Sequence, residues 1–420
     1  MLLSSNDNKH MLIDGGMKSS YSEHVAPYLG RLAKSGAELD IVYVSHIDQD
    51  HINGVLQLMD DTLDWRVHDY QTKVARNNKF PAPNAPRPPK VRRLWNNTFS
   101  ALLDEKTKPI EDLLASNLEL VHLDAGAIGE YATSKAPLYE NLVSGVSDGI
   151  KLTNRVDKAQ LNIPTNPEFT GKLMALDGKK RSLKLGKVKF SLLGPTKEDL
   201  RNLRKEWTAW LDSNTQAVEK IRKQAEKDAG LFPSESEWVL SSLRSLAHEL
   251  GKRDKVTPPN LASIMVLAEE SGKSILFTGD GHHRDILNGL RLHKKLDKKG
   301  RVHVNILKVQ HHGSEHNIHA DFCKAVTADH YVFCANGAHQ NPDLRAIEAI
   351  IDSRLAPSKG NPNATRIFKL WFNSSRDLEQ NENSDHMNEV YKLVRKKARS
   401  SKGRMKYRFL NRGSKFVINL

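Results

Sequence analysis

The chain has 420 residues, of which 38% are apolar and 27% charged, with two cysteines and a formal charge of +14. No apolar run approaches the ~20 residues that span a bilayer. The start, MLLSSNDNKH, lacks the apolar core and cleavage site of a signal peptide, so a soluble cytoplasmic protein is expected. Cys323 and Cys334 have no metal-type spacing and read as reduced and structural. The charge excess favours polyanions, whether nucleic acid, phosphorylated metabolites or anionic lipid, and its basic patches together with a phosphate-type site lean towards nucleic acid, with no membrane partner expected.

In chain order, MLIDGG (11–16) predicts a short strand ending in a glycine turn, and Val25, Tyr28, Leu29 and Leu32 carry helical spacing over 21–35. LDIVYVS (39–45) predicts a buried strand with His46 just past its end. Residues 79–94 hold five prolines and read as a loop or insertion, within which RPPKVRRLW (87–95) is a basic patch. VKFSLLGP (188–195) predicts another strand. Leu200, Leu203, Trp207, Leu211, Val218, Ile221 and Ala225 predict a long amphipathic helix over 199–229, with Trp207 and Trp210 as packing residues, and a second helix covers about 235–250. Strands return at 263–269, 274–280, 304–310 and 330–336, each running into a polar turn. YKLVRKKARSSKGRMKYRF (391–409) is dense in lysine and arginine with Tyr391, Tyr407 and Phe409 interleaved, and the last residues, KFVINL, read as an edge strand. Strand–helix units with loops gathered at one sheet edge predict a layered α/β fold.

Two histidines and two aspartates crowd VSHIDQDHINGV: His46, Asp48, Asp50 and His51. Alternate residues on an extended segment share a direction, so His46 and Asp48 can meet one target while Asp50 and His51 reach a second. Imidazole with carboxylate suits Zn²⁺ or Mn²⁺, and such a set is costly to bury without a compensating ion. A solvated surface turn is the alternative. Later turns supply Asp280 in FTGD, His311 and His312 in HHGS, and His339 in GAHQNP. Asp280 can bridge two cations through its two oxygens, and such a pair activates water near neutral pH. His311 or His312 either completes the ligand shell or protonates a leaving oxygen. Lys308 and Ser314 are read as substrate-binding, with a strand lysine at a sheet edge as the alternative for Lys308. His282 and His283 follow Asp280 and are not read as ligands.

The ordered set LIDGG, VSHIDQDHINGV, NLASIMVL, ILFTGD, LKVQHHGSEHN and GAHQNP resembles the metallo-β-lactamase superfamily, and within it the soluble hydrolase domain of the ComEC-like DNA-uptake proteins. The resemblance implies an α/β, four-layer αββα sandwich with two divalent ions, Zn or Mn. By position, His46 and Asp48 would hold the first ion and Asp50, His51 and His339 the second, with Asp280 between them. Asn260 and Ser263 stand where ComEC-like proteins have a similar Asn/Ser pair, which implies substrate binding or bracing of the site, with a strand-entry turn as the alternative. The place of a further histidine is taken by LLGP (192–195), which leaves His311 or His312 as the substitute ligand. Only ten residues precede Met11, so the strand that usually comes before IDGG is expected to be short or missing. The implied organisation is a first half-domain over 1–195 with an insertion at about 65–115, a helical insert over 196–259, a second half-domain over 260–350 and a basic C-terminal extension over 351–420.

The function expected is a metal-dependent phosphodiesterase or nuclease on DNA or RNA, with Asp50 and His312 as its catalytic residues. A small-molecule hydrolase acting on a lactone, thioester or phosphorylcholine ester is the enzymatic alternative. A non-catalytic nucleic-acid-binding module that keeps the fold is the other. No transporter segment accompanies the domain, so DNA uptake is not implied, and a protein partner in a multi-component system is a guess from architecture.

Overall fold

The computed structural model describes residues 1–97, 148–149, 151–202, 262–356, 363, 365–412 and 415–420. The chain divides into two compact units, Met1–Met174 with Glu198–Pro259, and Ala175–Lys197 with Asn260–Leu420. The predicted helix over 235–250, most of the one over 199–229, and Asn260 lie outside the described residues.

The first unit is built on a mixed four-stranded sheet in the order β1 (Leu2–Ser4), β2 (His10–Ile13), β3 (Ile41–Tyr43), β4 (Leu94–Trp95). The strand before IDGG is therefore present, though short: β1 pairs antiparallel with β2 through Leu3 opposite Met11. The other neighbours are parallel. Between β2 and β3 the chain forms a π-helical turn, Tyr21–Val25, and then helix α1, Ala26–Lys34, whose Ala26, Leu29 and Gly30 are buried. Gly36 follows with φ of +78°, the left-handed conformation that ends helices. Helix α2, Gln49–Asp69, starts in the middle of the motif at 44–55 and runs past residue 65, where an insertion was expected to begin. Its Ile52, Val55, Leu58 and Met59 are buried with Val42, Val44 and Leu94 in one apolar cluster.

The proline-rich stretch has little regular structure, as its five prolines require. Its arginines are paired. Arg87 forms two hydrogen bonds to the Asp69 carboxylate and stacks 4.2 Å over the Trp65 ring. Arg93 donates to Glu168 at 2.6 Å, and Arg92 donates to Glu38.

The second unit holds a mixed eight-stranded sheet in the order β12, β11, β10, β9, β8, β7, β6, β5. Strands β5 (Ser182–Leu185), β6 (Val188–Gly194), β7 (Met265–Glu270) and β8 (Lys273–Phe277) run antiparallel. From β8 onward, β9 (Val302–Lys308), β10 (Val326–Phe333), β11 (Phe368–Phe372) and β12 (Met405–Phe409) are parallel. Their crossovers carry α3 (His283–Leu292), α4 (Ala320–Ala325), α5 (Leu344–Leu355) and α6 (Asn381–Ser400). Apolar side chains of these helices and of the sheet share one buried cluster, including Ile286, Phe322, Ile347, Val390 and Phe372.

Residues 351–420, read as a basic extension, thus contribute two strands and a long helix to this sheet. Helix α6 buries Met387, Val390 and Val394, spaced for one face, and turns Lys397 to Asp352 (2.9 Å) and Glu348 (3.3 Å) of α5. In-register Phe333, Phe372 and Phe409 stack across three strands, 4.8 and 4.4 Å between centroids. Tyr391 and Tyr407 meet Phe409 edge-on, so the aromatics of the basic stretch are packing residues. KFVINL is not a strand. Phe416 and Ile418 instead pack against Ile306, Val332 and Trp371, and β12 takes the sheet edge. Among the described residues no helix is long and apolar enough to cross a membrane.

In the first unit, Gly15 and Gly54 cross with their backbones in contact. A Cβ on Gly54 would lie 2.3 Å from Gly15 O, and one on Gly15 would lie 2.2 Å from Val55 N. Backbone cannot yield as a side-chain tip can, so Gly54→Ala should cost about 2–4 kcal/mol. The check is the chemical-denaturation midpoint of the variant against wild type.

Candidate metal centre

In the first unit the site begins where β3 ends. Ser45 and His46 follow the strand, Asp48 holds the N-cap position of α2, and Asp50 and His51 lie in its first turn. Asp48 makes no side-chain capping bond. A capping aspartate normally accepts from a backbone N–H one turn on. Here Asp48 Oδ2 instead stands 3.4 Å from His46 Nε2, and Asp50 Oδ2 stands 3.4 Å from His51 Nε2. Both carboxylates sit at the positive end of the helix, which favours them. His46 and His51 are buried, with ring centroids 4.1 Å apart.

The other ring nitrogens are tied down by residues that the sequence reading did not place in the site. Asp14, at the end of β2, accepts from Ser45 N (2.7 Å) and Ser45 Oγ (3.0 Å), and its Oδ2 lies 2.9 Å from His51 Nδ1. Ser45 Oγ also lies 3.0 Å from His46 Nδ1. A hydroxyl has one proton, and Ser45 gives it to Asp14, so His46 Nδ1–H is assigned as the donor to Ser45. A carboxylate only accepts, so His51 Nδ1–H donates to Asp14. Both rings therefore present the Nε2 lone pair to an acidic neighbour. Asp14 was in view within IDGG, but nothing local announces its partners, which lie 31 and 37 residues on.

The second unit repeats the arrangement at the C-terminal ends of parallel strands. Asp280 follows β8 and is buried, with its N–H donating to Ser263 Oγ (3.2 Å) and its carbonyl accepting from Asn317 Nδ2 (2.8 Å). His311 and His312 follow β9 in a tight turn with φ of +45° and +56°. His312 Nδ1 donates to the Cys334 carbonyl at 2.6 Å, and its Nε2 lies 3.4 Å from Asp280 Oδ2. His311 Nδ1 is 2.7 Å from Asn317 Oδ1, and its Nε2 is 3.9 Å from Asp280 Oδ2. Lys308, the last residue of β9, is buried, donates to Gly279 O at 3.2 Å and stands 3.8 Å from Asp280 Oδ1.

The remaining expected residues have these places. Ser263 is fully buried and braces Asp280. Ser314 is buried in the histidine turn and its Oγ accepts from His316 N. His339 is exposed on the turn after β10, with φ of +53°. His282 accepts from Arg284 N at the start of α3. Burial, then the charge of His282 beside it, pushes the His283 imidazole down to about 4. Burial also lifts the carboxyl of Asp148, a hydrogen-bond neighbour of Gln49, to about 6.

The donor chemistry fits a divalent metal. Nitrogen and oxygen ligands at about 2.1 Å from a tetrahedral ion stand about 3.4 Å from one another. That is the separation of His46 from Asp48, His51 from Asp50, and His312 from Asp280. Ligand histidines typically donate the far ring N–H to a carboxylate or carbonyl, as His51 and His312 do, while His46 donates to the Ser45 hydroxyl. His46, Asp50, His51, Asp280 and His312 are all candidate metal donors.

Residues 1–114 match the family model described as the metallo-beta-lactamase superfamily. This stretch is a metallo-beta-lactamase superfamily domain. No curated protein matches the chain. Two mixed sheets with helices are consistent with the metallo-β-lactamase fold, and the match over residues 1–114 suggests a metal-dependent hydrolase. The superfamily typically binds divalent metals, which suits the His/Asp donors above.

Asp14 orients His51 and, through Ser45, His46. Asparagine tolerates the left-handed backbone at this position (φ +51°) but cannot supply a second accepting oxygen. Asp14→Asn should weaken divalent-metal affinity about 10–100-fold. Competition against a fluorescent chelator, with Zn²⁺ and with Mn²⁺, measures the change.

Proposed function

We propose that the protein is a metal-dependent phosphodiesterase acting on nucleic acid, of the ComEC-like branch of its superfamily. His46, Asp48, Asp50, His51, Asp280, His311 and His339 are its proposed ligands to divalent ions, zinc or manganese. The reading is carried by the recurrence of one device: an imidazole anchored at Nδ1 and facing a carboxylate oxygen with Nε2. A divalent ion held by such donors would polarise a scissile phosphoryl and lower the pKa of a water. Around that chemistry, Asp14 and Ser45 would hold two imidazoles in one tautomer, and His312, once protonated at Nε2, would pass that proton to the departing oxygen. Lys406 and Arg408 on the exposed edge strand, with Lys392, Arg395, Lys396 and Arg399 on α6, would track the phosphate backbone without reading sequence.

A second reading draws on the first unit. Arg87, Arg92 and Arg93 are engaged by carboxylates, which removes that patch from the surface a polyanion would need. It favours a small ester or lactone, where the same donors would polarise a carbonyl.

The test incubates labelled single- and double-stranded DNA and RNA with the protein and Mn²⁺ or Zn²⁺, with Asp50→Ala alongside. Cutting by wild type should fall at least about 100-fold in the variant, as for loss of a metal-site group. Substrate affinity should drop by about 10³-fold or more between about 50 and 200 mM salt. Equal cutting by both proteins would remove the nuclease reading, and salt-independent turnover of a small ester would install the second.

A further inference from the structure

Helix α2 carries candidate metal donors at its start and an unburied apolar face at its end. At Tyr70 it passes into a π-helical turn, Tyr70–Val74. Val67, Tyr70 and Val74 follow at the three- and four-residue steps that put side chains on one helix face. They are 41%, 58% and 64% exposed, whereas Ile52, Val55, Leu58 and Met59 of the same helix are buried. Lys73, Arg76 and Lys79 are exposed beside them. From Asp64 to Arg87 the chain holds five lysines and arginines against two carboxylates. One of those carboxylates, Asp69, accepts two hydrogen bonds from Arg87 and lies 3.2 Å from Lys73. The surroundings of the apolar stripe are therefore net positive.

An exposed phenol ring between two small apolar side chains, bordered by cations, fits a ligand with flat faces and a run of negative charges. Single-stranded nucleic acid is such a ligand: its bases stack on aromatic rings while lysine and arginine follow its backbone. A base inside a duplex has its faces covered by its neighbours and must leave the stack to be reached. A stable protein interface engages about 20–30 residues on each side, far more than this stripe offers. Helices that lie in a membrane surface present tryptophan, phenylalanine and leucine, and none of these stands among the three exposed side chains. We propose that the face formed by Val67, Tyr70 and Val74 binds single-stranded nucleic acid, with a base stacked on Tyr70 and phosphates on Lys73, Arg76 and Lys79. The inference rests on the nucleic-acid reading of the metal centre and names the strandedness of its substrate. From Asp50 to Tyr70 the helix rises about 30 Å. A strand lying on both ends covers about nine nucleotides at ~3.4 Å each, and fewer where it is stretched.

The experiment measures binding of the full-length protein to a fluorescent 20-nucleotide single strand and to the matching duplex, with chelator present so that neither is cut. The single strand should bind at least about 10-fold tighter than the duplex. Tyr70→Ala should lose about 5–100-fold on the single strand and little on the duplex, and Tyr70→Phe should keep the wild-type affinity. Tyr70 is exposed, so its substitution leaves the core intact. Arg76→Gln combined with Lys79→Gln should lower the slope of log affinity against log salt by about 1–2. With Mn²⁺ in place of chelator, Tyr70→Ala should raise KM for the single strand and leave kcat unchanged. Equal single-strand affinity of wild type and Tyr70→Ala would overturn the inference. So would Tyr70-dependent binding to phosphatidylserine vesicles in place of nucleic acid, or a Tyr70-dependent dimer in sedimentation velocity. Asp50-dependent cutting would leave the proposed activity standing in each of those cases. Tyr70-dependent single-strand binding without cutting would uphold this face and remove the activity, and no binding of any nucleic acid would remove both.

Discussion

The first unit turns on a crossing of two backbones. Gly15 N donates to His51 O and Gly54 N to Gly16 O, both at 2.8 Å, so the turn after β2 is pinned to the first turns of α2 with no side chain between them. Any Cβ at either glycine would separate them. The crossing sets where Asp14 stands. Its own N–H is held by Tyr43 O at 2.8 Å, which aims its carboxylate at Ser45 and His51. A rigid backbone junction thus fixes a proton-bearing network, and the network fixes two imidazoles. Precision of this kind suits metal ligation, where an error of a few tenths of an ångström in ligand placement is felt.

The second unit reaches a similar end by a different route. Its groups sit on turns that leave the carboxyl ends of β8, β9 and β10, where open α/β sheets commonly place their ligands. The turn after β9 holds two successive histidines with positive φ, an uncommon backbone state for a side chain of this size. It persists because both rings are anchored, His311 to Asn317 and His312 to the Cys334 carbonyl. Such local strain is held where surrounding contacts over-determine it. Asn317 does double work, since its amide also donates to the Asp280 carbonyl.

Much of this was legible from residues alone, because strand ends and dense polar turns are local signals. VYVS running into HIDQDH, and ILF into TGD, place the donor groups without reference to the rest of the chain. What stayed hidden was non-local. The partners of Asp14 and His312 are separated from them by tens of residues, and the carboxylates that pair Arg87, Arg92 and Arg93 come from other elements. The stretch 351–420 misled for another reason. FKLWF and MKYRF alternate, with Phe368, Leu370, Phe372 and Met405 toward the apolar cluster and Lys369, Trp371, Lys406 and Arg408 between them. Overall basicity masked a period-two pattern that is the ordinary mark of a strand with one buried face.

The two donor sets differ in charge, and the difference has a consequence. The first gathers three carboxylates, Asp14, Asp48 and Asp50, around two imidazoles. The second has one carboxylate, Asp280, already faced by the Lys308 ammonium, beside two imidazoles. Attraction for a dication scales with the uncompensated negative charge that surrounds it, so the first set is where the pull on a metal originates. The second set is nearly balanced on its own. Its imidazoles can add neutral nitrogen ligands or carry protons, but it contributes little net charge.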